Sequence, residues 1–170
     1  EIGGDADFDD SQVTDLGNLR RIGGDAIFSH SQITFLGNLE EIGGMADFDD
    51  SQVTDLGNLR RIGWSVYFSN SQITSLGNLE EIGGYAYFGY SPVTDLGNLR
   101  RIGWSVYFSN SQITSLKNLE EIGGYAYFEY SQVTDLGNLR RIGGRAYVTK
   151  KQKKLIEELI KRGFRWDIIK

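Results

Sequence analysis

The residues of this chain best suited to binding chemistry are aromatic, and they recur at regular spacing. All nine tyrosines occupy position 5, 7 or 10 of a 20-residue unit, and two of the three tryptophans occupy position 4. Tyrosine and tryptophan supply rigid contact area with a polar tip, and they are enriched at recognition sites. We therefore predict an aromatic face that binds a protein or peptide. Its members are Trp64, Tyr67, Tyr85, Tyr87, Tyr90, Trp104, Tyr107, Tyr125, Tyr127, Tyr130 and Tyr147.

Two other interpretations of these aromatic residues stay open. A ladder of rings can simply stiffen a sheet, and exposed rings can also stack on a carbohydrate. Tyrosine at three positions exceeds what a stiffening ladder requires, whereas such uniform repetition is unusual for a discriminating interface. We therefore predict a recognition module, with an engineered or purely structural repeat scaffold that has no natural ligand as the alternative.

Aspartates cluster near the start of the chain. The predicted acidic patch has six members, with His30 beside them: Asp5, Asp7, Asp9, Asp25, Asp47 and Asp49. Carboxylate oxygens at this density suit Ca²⁺. We prefer a solvated acidic surface that keeps the protein soluble or attracts a basic partner. We expect no metal site and no cofactor.

Catalysis is not expected from this composition. The chain has no cysteine and one histidine, which excludes a thiol nucleophile and leaves little for acid–base chemistry. Paired aspartates can form a glycosidase dyad. Here, however, the acidic residues change from unit to unit, and we expect no apolar pocket that would raise the pKa of one of them. We predict that the protein is not an enzyme.

Length and charge narrow the possible partners. The 170 residues suit a single domain, and the formal net charge of −5 argues against a general nucleic-acid binder. Residues 145–170 carry nine basic and three acidic residues, a net +6 against −11 for residues 1–144. Binding of RNA by this tail is an alternative, although lysines on a helix usually form a solvated face. No apolar run approaches membrane-spanning length and no signal peptide is expected, which leaves the compartment undetermined.

A 20-residue repeat organises the chain and must position these side chains. Eight units run from residue 1 to about residue 148, with apolar residues at positions 2, 6, 8, 13, 16 and 19. Positions 6 and 8 alternate with variable positions, which is the period of a half-buried strand. The later spacing of three suits a chain that turns inward in short 3₁₀-like steps. Units this short must stack to bury a core. We predict a mainly β fold, a right-handed parallel β-solenoid with eight rungs.

These positions resemble the leucine-rich repeats in their short bacterial form. The family pattern is apolar-x-x-apolar-x-apolar-x-x-Asn-x-apolar, followed by apolar residues three apart. In the first unit it is overlaid by Gly3, Ala6, Phe8, Ser11, Val13, Leu16 and Leu19. Glycine stands at the first apolar position, and serine replaces the buried asparagine, where its hydroxyl is expected to bond inward-facing backbone groups. The resemblance implies a curved solenoid whose concave aromatic face recognises a partner without catalysis.

The two ends of the repeat differ. Residues 149–170 are predicted to be a cap of the same domain as the solenoid, residues 1–148. Thr149 is the expected N-cap of a helix with an apolar stripe that ends at Gly163, and an extended tail should cover the open core of the last rung. No comparable cap precedes Glu1, so we expect either that upstream sequence was removed or that another copy of the chain shields this edge, and we predict homodimerisation through it.

Charge also alternates along the repeat. Position 20 of each unit and position 1 of the following unit carry a pair of like charges. These pairs alternate between two arginines and two glutamates, from Arg20 and Arg21 to Arg140 and Arg141. In a stacked coil each arginine would lie between glutamates, and a slip of one rung would bring like charges together. This alternation is expected to specify the register.

Overall fold

The computed structural model describes residues 1–169 and shows a parallel β-solenoid of about eight turns followed by one short helix. Strand partners are 20 residues apart throughout, so Val106 pairs with Ala86 on one side and Ala126 on the other. The predicted fold class is confirmed. Within the described residues no helix is both long and apolar enough to cross a membrane.

Each turn contributes very short strands to two sheets. The nine-stranded sheet consists, in spatial order, of β1 (Ala6–Asp7), β3 (Ala26–Ile27), β5 (Ala46–Asp47), β7 (Val66–Tyr67), β9 (Ala86–Tyr87), β11 (Val106–Tyr107), β13 (Ala126–Tyr127), β15 (Ala146–Val148) and β16 (Trp166–Ile168). The seven-stranded sheet consists of β2 (Arg21–Ile22), β4 (Glu41–Ile42), β6 (Arg61–Ile62), β8 (Glu81–Ile82), β10 (Arg101–Ile102), β12 (Glu121–Ile122) and β14 (Arg141–Ile142). A third side is joined only by isolated bridges such as that between Ser75 and Asp95.

The apolar positions of the repeat become columns in the core. Phe88 is fully buried and lies 5.3 Å from Phe68 and 5.4 Å from Phe108, measured between ring centroids. The leucine and isoleucine columns of the middle turns are equally inaccessible to water. Stacking buries the apolar side that a single 20-residue unit cannot bury alone.

Glycine at position 3 is a packing requirement. A Cβ atom added to Gly103 would overlap the carbonyl oxygen of Gly83, and Gly123 stands in the same relation to Gly103. Successive turns therefore approach through bare backbone at this corner between the two sheets. This contact explains why glycine fills the place where the leucine-rich-repeat pattern has an apolar side chain.

The serine column differs from expectation. The buried hydroxyls of Ser11, Ser31, Ser51, Ser71, Ser91 and Ser111 have no hydrogen-bond partner among the described residues. The prediction that they bond inward-facing backbone groups is wrong for these six. The turn is closed instead by the serine backbone, since the Ser71 N–H donates to the Phe68 carbonyl at 3.3 Å.

The alternating charges form the predicted ladder along the solenoid. Arg61 contacts Glu41 at 3.2 Å and Glu81 at 3.6 Å, and Arg101 contacts Glu81 at 3.0 Å and Glu121 at 3.8 Å. These side chains are partly exposed, so each pair contributes only about 0.2–1 kcal/mol. The ion pairs mainly specify the register of stacking, because opposite charges lie side by side only when consecutive units are neighbours.

The C-terminal residues close the coil largely as predicted, with a different residue at the start of the helix. The helix α1 spans Lys153–Lys161 and has Gln152, without a side-chain cap bond, at the position expected for Thr149. Its buried residues, Leu155 and Leu159, cover the end of the core, and the predicted stop at Gly163 has a φ of 71°. The following tail forms β16, in parallel pairing with β15, and its Phe164 and Trp166 pack against the core as predicted. The 20-residue register thus continues past the helix.

Candidate binding face

One continuous outer surface carries the variable residues of the repeat. In β9 the Ala86 side chain is buried, whereas Tyr87 points outward and the following Phe88 returns to the core. The same alternation holds in every turn because successive strand residues face opposite sides of a sheet. We call the outward residues at positions 4, 5, 7, 9 and 10 of all turns the variable face.

Position 7 of this face carries a stack of tyrosine rings. Tyr87 lies 4.7 Å from Tyr67 and 4.7 Å from Tyr107, with ring planes within 6° of parallel, and Tyr127 and Tyr147 continue the series. The flat sides of the inner rings cover one another, so mainly ring edges and hydroxyls remain for a ligand. These rings therefore provide no flat platform for a carbohydrate.

Partial burial in the stack affects tyrosine ionisation. Loss of hydration raises the pKa of Tyr87 above its ordinary value, and the neighbouring Tyr107 and Tyr67 add to the effect. The pKa of Tyr127 is raised for the same principal reason, with Glu129 among its neighbours. Tyr87 and Tyr127 thus present neutral phenol hydroxyls that can donate as well as accept hydrogen bonds.

Positions 4 and 5 carry aromatic rings that are more exposed. Trp64 is 57% and Trp104 50% accessible, and their ring centroids lie 6.3 Å apart above the intervening Gly84. Tyr85 meets Trp104 edge to face at 5.2 Å. Large and small residues alternate between turns here, because each tryptophan turn has serine at position 5 and the next turn has glycine followed by tyrosine.

A shallow depression of about 580 Å³ opens beside this group. Trp104, Tyr125, Gly123 and Gly124 are among the residues that line it. Tyr107 and Tyr127 border it on the side of the tyrosine stack. Sequence reasoning placed these aromatic residues on one face but did not foresee this opening between turns.

Tyr90 and Tyr130 occupy position 10 of the variable face, in the turn that follows the strand. They are 73% and 68% exposed and adopt left-handed backbone conformations, with φ of 57° and 58°. Asn70 and Asn110 hold the same conformation one turn earlier, and asparagine tolerates it far better than an aromatic residue does. The two tyrosines thus remain water-exposed at a position that disfavours their residue type.

The aspartates of the acidic patch occupy the same face in the first three turns. Asp25 Oδ1 accepts the Met45 N–H at 2.7 Å, and Asp49 Oδ1 accepts the Ser69 N–H at 2.6 Å. Both bonds join consecutive turns, a structural role that the sequence did not reveal. Burial raises the pKa of Asp49 above its ordinary value, and the neighbouring charge of Asp47 adds to the rise. The hydrogen bond from the Ser69 N–H acts in the opposite direction and lowers this pKa.

Serine takes over the bonding role of aspartate at position 5 in the aromatic turns. The Tyr85 N–H donates to Ser65 Oγ at 3.2 Å, and the Tyr125 N–H donates to Ser105 Oγ at 2.9 Å. Asp5 does the same for the Asp25 N–H at 2.9 Å. A small polar residue at this position therefore satisfies the next turn's backbone, which explains why serine accompanies each exposed tryptophan.

His30 joins the acidic patch at the turn beside β3. Its Nδ1 lies 3.1 Å from Asp9 Oδ1, and this hydrogen bond is the main cause that raises the pKa of His30. Asp9, Asp10 and His30 bring three possible ligand atoms within 4.8 Å of one another. All three side chains are exposed, and exposed acidic groups commonly cluster without an ion.

The basic tail divides into two groups. Arg162 donates to the carbonyls of Gly137 and Leu139, and Arg145 pairs with Asp167 at 2.9 Å. These arginines fasten the cap to the last turns. Lys150, Lys151, Lys153 and Lys154 are exposed to solvent.

Comparison with known proteins gives no match to any family model, to any curated protein or to any solved structure. The functional argument therefore depends on the geometry of the variable face.

Proposed function

We propose that this protein is a non-catalytic recognition module that binds a protein or peptide through the aromatic half of its variable face. The aromatic half comprises the outward residues of turns four to eight, and the acidic aspartates lie beyond it in turns one to three. Binding would bury aromatic area that the backbone already holds in place, which lowers the entropy lost on association. The acidic turns would select the charge of the partner.

The observation that carries this proposal is the exposure of rings outside the tyrosine stack. A ladder that only stiffens the sheet is complete with the parallel rings at position 7. It requires neither Trp64 and Trp104 at 57% and 50% exposure nor Tyr90 and Tyr130 in a left-handed turn. Exposed aromatic residues of this kind are typical of protein interfaces.

We also propose that the repeat is of the leucine-rich-repeat type. The order of buried positions supports this assignment, since Ala86, Phe88, Val93, Leu96 and Leu99 are all inaccessible to water in the spacing of that family. In that fold the strand face is concave, and the variable face would be the concave one. The rival is an engineered or structural scaffold without a ligand, and the regular charge alternation is its best support.

A displayed library of random peptides tests the proposed function. The chain itself supplies substitutions that suit its backbone, because glycine occupies position 4 and asparagine occupies position 10 in other turns. The test variants are Trp64→Gly with Trp104→Gly, and Tyr90→Asn with Tyr130→Asn. We expect peptides enriched on the unmodified protein to bind both variants at least about tenfold more weakly, a loss of about 1.4 kcal/mol.

Thermal unfolding of the same variants separates recognition from stiffening. Tyr90→Asn should raise the free energy of unfolding by about 0.5–1 kcal/mol, because it relieves left-handed strain. A pair of substitutions at the opposite side of the coil, Thr94→Ser with Thr134→Ser, serves as the control and should leave peptide binding unchanged. No enrichment of peptides, or enriched peptides that bind all variants equally, would contradict the proposal and favour the scaffold.

A further inference from the structure

The alternation at position 4 stops one turn before the end of the solenoid. Tryptophan and glycine alternate through Trp64, Gly84, Trp104 and Gly124, and the next member of the series is Gly144 rather than tryptophan. The depression beside Trp104 lies at this interruption. It is lined by the aromatic rings of Tyr85, Trp104 and Tyr125 and by Gly124, which is half-buried.

The equivalent place two turns earlier shows what fits above such a glycine. Trp64 and Trp104 belong to turns two apart, which corresponds to roughly 9.6 Å along the coil. Their ring centroids are only 6.3 Å apart, tilted by 42°. The two indoles therefore lean toward each other and cover Gly84. A third indole from position 144 would have covered Gly124 in the same way.

The aspartates of the variable face all lie at one end of it, and its one further acidic residue, Glu129 in turn seven, accepts the Ser109 hydroxyl at 2.6 Å. Positions 4, 5, 7, 9 and 10 of turns one to seven contain no lysine or arginine, and eight aspartates occupy those positions in turns one to three. The first cation on the face is Arg145, whose charge is paired with Asp167 at 2.9 Å. The face is thus complementary to a partner that carries an aromatic group at one end and positive charge at the other.

The spacing between the two regions suits a short extended segment. Gly124 lies in turn seven, and Asp47 and Asp49 lie in turn three. Four turns correspond to roughly 19 Å. An extended peptide covers about 3.3 Å per residue, so about six residues span this distance.

We propose that the depression over Gly124 takes the indole ring of a tryptophan in an extended basic peptide, whose lysines or arginines about six residues away reach the aspartates of turns one to three. This inference rests on the proposed function and specifies its partner. The ring would lie between Trp104 and Tyr125, with contacts of the kind that Trp64 makes with Trp104. The cationic side chains would meet carboxylates held in place by their bonds to the next turn.

Fluorescence anisotropy with a labelled synthetic peptide tests the proposal. The probe contains one tryptophan, a spacer of about five glycine and serine residues, and three lysines, in about 50 mM NaCl to limit screening. One control peptide has alanine for tryptophan, and another has glutamate for lysine. We expect each control peptide to bind the unmodified protein at least about tenfold more weakly.

Variants of the protein locate the two contacts. Gly144→Trp supplies the missing indole, because the three atoms nearest to a Cβ at this residue belong to the Tyr125 ring, whereas those nearest to a Cβ at Gly124 include backbone atoms. We expect Gly144→Trp to weaken binding of the tryptophan peptide at least about tenfold and to leave binding of the alanine peptide unchanged. Its matched control is Gly4→Trp, where an added Cβ meets nothing within 4 Å.

The charge contact has its own pair of variants. Asp47→Asn with Asp49→Asn keeps the acceptor oxygens used by the backbone and removes two charges. We expect this double substitution to weaken binding of the lysine peptide several-fold at low salt and to leave it unchanged at about 500 mM NaCl. The matched control, Asp15→Asn with Asp55→Asn, removes two charges from another side of the coil and should leave binding unchanged.

Three results would overturn the inference. They are failure of the tryptophan peptide to bind, equal binding of the tryptophan and alanine peptides, and equal effects of Gly144→Trp and Gly4→Trp. If Gly144→Trp unfolds, the two peptides on the unmodified protein still decide the result. The library experiment reports separately on the proposed function, because peptides of another composition that require the exposed rings would support recognition while excluding this partner.

Discussion

The side-chain amide of Gln152 lies 3.3 Å from the hydroxyl of Ser131, which gives this last serine of the column a side-chain partner that the six before it lack. The same Nε2 donates to the Phe128 carbonyl at 2.7 Å, and Gln152 Oε1 accepts the Thr149 N–H at 2.8 Å. One glutamine thus closes the polar column at the point where the repeat ends.

Substitution of Gln152 and substitution of an unbonded serine of the same column should have different consequences. Gln152→Ala is expected to lower the free energy of unfolding by about 1–3 kcal/mol, because the part-buried Thr149 N–H loses its acceptor and the Ser131 carbonyl loses its donor. Ser71→Ala removes a hydroxyl that makes no bond and should be neutral or slightly stabilising. Urea denaturation measures both. A larger loss from Ser71→Ala than from Gln152→Ala would show that the serine hydroxyls have partners in solution.

Deletion of whole units tests whether the charge ladder fixes the register. Removal of residues 61–80 would place Glu41 beside Glu81 and Arg60 beside Arg100, whereas removal of 61–100 keeps opposite charges adjacent. Like-charge contacts of about 0.2–1 kcal/mol each are weakened by salt. The melting temperature of the shorter deletion should therefore rise with NaCl, while that of the longer deletion stays level or falls slightly. Equal salt responses would contradict the role of the ladder.

The raised pKa of His30 predicts a pH-dependent contact with Asp9. Because the folded pKa lies above the ordinary value of 6.5, the charged pair is fully formed below that value and is lost as pH rises through the raised pKa. His30 is the single histidine, so its ring protons give one NMR titration curve. Asp9→Asn should lower this pKa, and Asp15→Asn should not. An unshifted curve in the unmodified protein would exclude the contact.

The N-terminal edge of the first turn remains a proposed site of homodimerisation. Val13 is 41% exposed, whereas the equivalent Val53 is fully buried, and Phe8 and Leu16 are only partly covered. Pairing of two such edges would bury this apolar area. Light scattering at high micromolar concentration should give a dimeric mass that Val13→Lys reduces to that of a monomer. Thr134→Lys is the control, and a monomeric mass for the unmodified chain would refute the proposal.

Much of the architecture was predictable because each position of the unit meets its own equivalents in neighbouring turns. The burial of Phe88 and the lateral contact of Tyr87 with Tyr107 follow from periodicity alone, since a strand of two residues has only one inward and one outward choice. The candidate site was predictable only as a set of residues. Its members were found by position in the repeat, but the roles of Ser65 and Ser105 as acceptors for the next turn's backbone were not.

The sequence by itself determined the number of turns, the columns of the core, the alternation of charge and the collection of aromatic residues on one face, because these properties depend on spacing within a unit. Only the tertiary structure decided that the tyrosine rings stack flat against one another, that Trp64 leans toward Trp104, and that Gly124 is half-buried whereas Gly84 is buried. Side-chain orientation is set by contacts between turns, and residues with the same position in the repeat have different neighbours above and below them. The tail shows the same limit, since helix α1 interrupts the repeat and the pairing of Trp166 with Ala146 restores its register.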